Sequence, residues 1–110
     1  MLFSKVRIAD DGTYYVSGQL PADCSAGLRE QTASSLASLG AVLEEAGLPL
    51  DSVLKVTVFT TQIDQIAEIN EAYAEFFSGV KEMPARSAFG ITGLVAGALV
   101  EVDCFGHVSR

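Results

Sequence analysis

The stretch DSVLKVTVFTT, residues 51–61, constrains the fold most, because its β-branched alternation is set between two segments of helical periodicity. On its N-terminal side, GLREQTASSLASLGAVLEEAGLP spaces Leu28, Leu36, Leu39, Leu43 and Ala46 by three, four or eight residues, which is one face of a helix. Gly27 is its expected N-cap with Glu30 at the third helical position, and Gly47 followed by Pro49 ends it. On the C-terminal side, IDQIAEINEAYAEFFSG carries Ile63, Ile66, Ile69, Tyr73 and Phe76 or Phe77 on one stripe, with Asp64 as the expected cap and Gly79 as the stop.

Strand-like runs lie outside this helix–strand–helix centre. SKVRIA (4–9) and TYYVSGQ (13–19) enclose Asp10-Asp11-Gly12, a hairpin signal because Gly takes the positive φ of a tight turn. RSAFGIT (86–92) and ALVEVDCFGHV (98–108) are joined through a loop from Gly93 to Gly97. The order β-β-α-β-α-β-β predicts an α+β two-layer sandwich, one domain over residues 1–110, with both helices on one face of the sheet. The last strand sets Val100, Val102 and Cys104 on one side and Leu99, Glu101 and Phe105 on the other, so its uncovered face is expected to pack against another subunit.

Composition narrows the function. Seven Lys plus Arg against fourteen Asp plus Glu give a net charge of -7, which repels phosphate backbones and argues against nucleic acid as a partner. The opening MLFSKVRIADDG has early charges and no long apolar run, so neither a secretory segment nor a membrane span is expected. Cys24 and Cys104 are too few and too distant for a disulfide framework, no CxxC or Cys/His cluster suggests a metal, and a reducing cytoplasmic setting fits best. Dinucleotide, P-loop and zincin motifs do not occur.

Against this acidic background, MPARSAFGI sets Arg86 at the mouth of an apolar strand, and Glu101 follows 15 positions later (101 − 86) on the next strand. An antiparallel pairing of those consecutive strands would bring the two close together. Two readings fit the spacing: a surface ion pair, or an arginine fork that binds a substrate carboxylate beside a carboxylate that moves protons. Ser17-Gly18-Gln19 offers a hydroxyl and an approachable backbone, or is simply a bulge before Pro21. Asn70 is either a solvated position or a hydrogen-bonding anchor, and Tyr73, Phe76 and Phe77 read as core. His107 and both cysteines lack the neighbours that would make them catalytic.

YYVSGQLP, LEEAGLPLDSVLKVTVF, INEAYAEFF, MPARSAFG and ALVEVDCFGHV, in that order, closely resemble the reactive intermediate deaminase family, Rid or YjgF, formerly labelled translation-inhibitor endoribonucleases. The resemblance covers nearly the whole chain. It implies a chorismate-mutase-like fold with a mixed sheet, assembled as a homotrimer around a central barrel with clefts between subunits. It also implies hydrolysis of enamines and imines of the 2-aminoacrylate type to 2-keto acids and ammonia, without metal or organic cofactor; the alternative is a non-catalytic binder of small carboxylates. By the same resemblance Arg86 clamps the substrate carboxylate, Glu101 positions or activates water, and Ser17, Gly18, Ala88 and Asn70 line the cleft. Ala88 stands where the best-studied branch has cysteine, and Phe3 is the nearest counterpart of its N-terminal tyrosine, so both replace polar contacts with apolar ones.

Overall fold

The computed structural model describes residues 2–109. Strand β1 (Val6–Ile8) and strand β2 (Thr13–Gln19) form the expected hairpin. Its turn closes on Gly12 at φ +96°, the Asp11 carboxylate accepts the Thr13 N–H at 2.8 Å, and the Ala9 N–H donates to Thr13 O. Helix α1 (Leu28–Glu45) starts at the Gly27 cap and buries Leu28, Leu36, Leu39 and Leu43, as its periodicity requires. Gly47, at φ +73°, terminates it: the Gly47 and Leu48 N–H groups return to Glu44 O and Leu43 O, a glycine C-cap.

Strand β3 (Val53–Thr60) is followed by a 3-10 turn over Ile63–Gln65 and then by helix α2 (Ile66–Phe76). Asp64 therefore lies inside that turn and is not the helix cap; Gln65 takes the cap position and makes no side-chain capping hydrogen bond. The helix ends at Phe76 with Phe77 as its C-cap, so Gly79 lies beyond it. Its stripe is shifted accordingly, with Ile69, Tyr73 and Phe77 buried and Ile63 exposed. Strands β4 (Ala85–Gly90) and β5 (Val100–His107) complete one mixed sheet in the order β1-β2-β5-β3-β4.

That order overturns the expected pairing of β4 with β5. Strand β4 pairs only with β3, in parallel, as the α2 crossover demands, while β5 enters between β2 and β3 and runs antiparallel to both. The central strands bury Val56, Val58, Val100 and Val102 fully against α1 and α2. Each such side chain contributes roughly 1.5–3 kcal/mol by leaving water. On the other face, Tyr15, Phe105, Phe59 and Phe89 pair as rings across the strands at 6.0 and 6.1 Å, and Tyr15, Phe89 and Phe105 remain 56%, 51% and 43% exposed. A single chain leaves this aromatic face uncovered.

Candidate functional site

Register decides where the charged residues point, because paired residues share a face of the sheet. Arg86 pairs with Val56, which pairs with Cys104; all three face the helix layer. Glu101 pairs with Phe59, which pairs with Phe89, on the uncovered face. Two strand spacings, about 10 Å, and three residues along the strands, about 10 Å more, separate the Arg86 and Glu101 backbones, and their side chains leave opposite sides of the sheet. One chain thus carries two candidate half-sites, and the sequence expectation that Arg86 and Glu101 meet through neighbouring strands is corrected.

The first half-site lies on the open edge of the sheet. Arg86 is exposed, and its guanidinium carbon sits 4.8 Å from the centre of the Tyr73 ring on α2. Among the described residues it forms no ion pair; the arginine that does is Arg29, which bridges α1 to Glu71 and Glu75 of α2 at 3.1 and 3.2 Å. Ile91 donates its N–H to Thr60 O at 2.9 Å, and in a parallel pair only alternate residues bond to the neighbour. The N–H and C=O groups of Arg86 and Ala88 therefore point outward from the edge, beside the guanidinium. Ala88 turns its methyl toward the core in register with Val58. Asn70 is exposed on α2, one turn before Tyr73.

The second half-site is built on a bulge. Val16 pairs with Cys104 but Gln19 pairs with Val102, so β2 carries one extra residue around Ser17 and Gly18. The Ser17 hydroxyl is engaged, donating to Ser4 O at 2.6 Å, while the Ser17 N–H donates to Lys5 O. These bonds hold the N-terminal segment, with Phe3 62% exposed, against the bulge. Gly18 lies against the Glu101 carboxylate so closely that a Cβ there would stand 2.6 Å from Oε2.

Burial raises the Glu101 pKa above the usual carboxylate value, and the negative charge of Asp103, two residues on along the same face, raises it further. Asp103 is itself raised by burial. Sequence reading passed over Asp103; its signal was the i, i+2 spacing from Glu101. Both carboxyls hold their protons to higher pH in the folded chain than in the unfolded one. Their contribution to stability is therefore intact below the unfolded carboxylate range and lost as pH rises through the folded values. Asp103→Asn is expected to raise the urea midpoint relative to the parent at about pH 7 and to leave it unchanged at about pH 3; equal midpoints at both would refute the buried-carboxylate account.

Gly18→Ala is expected to push the Glu101 carboxylate aside and to lower about tenfold any activity that depends on the position of that carboxylate. Its stability should stay within about 0.5 kcal/mol of the parent, because the obstacle is the tip of a flexible side chain. Steady-state rates and thermal melts read the two effects separately.

Other candidates are accounted for structurally. His107 Nε2 sits 2.8 Å from Asp11 O at the hairpin turn. Cys104 is buried, and burial with the charge of Asp103 pushes its thiol up to about 12, far from a thiolate at neutral pH. Among the described residues no cluster of three His, Cys, Asp or Glu could hold a metal ion, and no helix is long and apolar enough to cross a membrane.

The family model for Endoribonuclease L-PSP matches residues 2–108. The chain belongs to the endoribonuclease L-PSP family. As an L-PSP family member it is 34% identical over 99 residues to the 2-iminobutanoate/2-iminopropanoate deaminase of Rattus norvegicus, a match covering 84% of this chain and 71% of that protein. It superposes on E. coli TdcF with bound serine at a TM-score of 0.88, 26% identity, covering 97% of this chain and 88% of that one. The E. coli YjgF gene product gives 0.86 at 25% identity, covering 96% and 87%. Two helices on a mixed five-stranded sheet are thus the L-PSP and YjgF architecture, and membership brings deaminase relatives with it.

Proposed function

We propose that this L-PSP family member hydrolyses small 2-imino acids to 2-keto acids and ammonia, in clefts completed between copies of the chain. The observation that carries the reading is the free Arg86 fork beside the outward-pointing backbone of Ala88, a ready-made seat for a carboxylate. The deaminase relative's name and the serine bound to TdcF, which has a carboxylate next to an amino-bearing carbon, support the same substrate class. Because one chain separates Arg86 from Glu101, Glu101 of a neighbouring copy supplies the acid–base group. The uncovered aromatic face of the sheet supports a homotrimer in which these faces line a central barrel.

In this arrangement Arg86 grips the carboxylate and presents the C=N carbon to a water held by Glu101. As water adds to the C=N carbon, Glu101 accepts its proton and passes it to the nitrogen, giving a carbinolamine; Glu101 then takes the hydroxyl proton and delivers it to the amino group as the C–N bond breaks, so ammonia leaves and the keto group remains. A carboxyl with a raised pKa suits both halves of that exchange. A protein that only stored carboxylates would gain nothing from a second negative group, and a net charge of -7 disfavours RNA. The test generates 2-iminopropanoate in situ and measures pyruvate and ammonia. Their appearance in equal amounts, faster than without protein, is expected; an unchanged rate sinks the reading.

A further inference from the structure

We propose that Tyr73 is the positioning residue for Arg86: its ring fixes the guanidinium in place while leaving every N–H free for the substrate carboxylate. The inference rests on the carboxylate-clamp reading of Arg86 and explains how an exposed side chain on an edge strand is kept ready. An unrestrained arginine is among the most flexible side chains, and ordering it on binding weakens affinity.

The two arginines near α2 show the alternative ways of ordering such a side chain. Arg29 is held by Glu71 and Glu75, whose carboxylates occupy the donors a ligand would need. Arg86 is instead held over a π face at 4.8 Å, which attracts the cation without accepting its in-plane hydrogen bonds. Tyr73 is suited to be a fixed base: it is 6% exposed and packs on Phe77 at 4.8 Å, and Phe77 in turn meets Phe76 edge-on at 4.9 Å. Its hydroxyl is buried and has no hydrogen-bond partner among the described residues, so the proposed role belongs to the ring and not to the hydroxyl.

The experiment compares the parent with Tyr73→Phe and Tyr73→Leu, reading the NMR order of the Arg86 Nε–H group and the steady-state constants for 2-iminopropanoate. Tyr73→Phe is expected to match the parent in both. Tyr73→Leu is expected to turn Arg86 into a freely rotating side chain and to raise KM about three- to tenfold with kcat within about twofold, the pattern of lost uniform binding. Should the leucine variant fail to fold, Tyr73→Met keeps the bulk without the ring and takes its place. An Arg86 equally ordered without the ring overturns the inference, as does an unchanged KM once Arg86 is mobile. If the parent itself fails to hydrolyse the imine, the functional reading falls, while the Nε–H measurement still decides whether Tyr73 orders Arg86.

Discussion

Arg86→Ala is expected to reduce 2-iminopropanoate hydrolysis by at least about 100-fold, because in the proposed cleft the guanidinium fork both binds the substrate carboxylate and aims the C=N carbon at the water. The fold should survive. Arg86 is exposed, belongs to no ion pair among the described residues, and gives up only its contact with the Tyr73 ring, about 0.5–1 kcal/mol at an exposed site. Arg86→Lys separates charge from geometry: the ammonium keeps the attraction but loses the two parallel hydrogen bonds, so an intermediate rate is expected. The coupled imine assay measures the loss, and thermal melts with size-exclusion chromatography check fold and assembly. A variant with the parent's rate would mean that the guanidinium is not the clamp.

Much of the architecture was legible because local rules and the final fold agree. Asp11-Gly12 forms the turn, Gly47 stops α1, and the leucines at helical spacing are the ones buried. What could not be read from adjacency was the pairing of β4. A helix between β3 and β4 imposes a parallel crossover, and β5 lies on the other side of β3, between it and β2, instead of on the free edge of β4. Arg86 is in register with Val56 and Glu101 with Phe59, three residues apart on β3, and that odd offset puts Arg86 on the helix face and Glu101 on the aromatic face. Ser17-Gly18-Gln19 illustrates the converse. The sequence allows a bulge or a site there, and the two coincide: the bulge sits where Gly18 meets the Glu101 carboxylate. Resemblance to a family transferred the residue types, but it carried no information about which side of the sheet each leaves.

Opposite faces lead to the second large effect. If each cleft joins Arg86 of one copy to Glu101 of the next, two inactive variants should rescue each other. Arg86→Ala chains retain Glu101 and Glu101→Gln chains retain Arg86, so co-refolding them in equal amounts creates clefts with both groups intact. Random assembly of a cyclic oligomer makes about one quarter of the clefts complete, and activity should return to about a quarter of the parent's from near zero. The double variant sharpens the comparison. Mixed equally with the parent chain, it should leave about one quarter of the parent activity if clefts are shared, against about one half if each chain works alone. No recovery in the first mixture, with mixed oligomers verified by differential tagging, would place both groups in one chain's site and contradict the register of β3, β4 and β5.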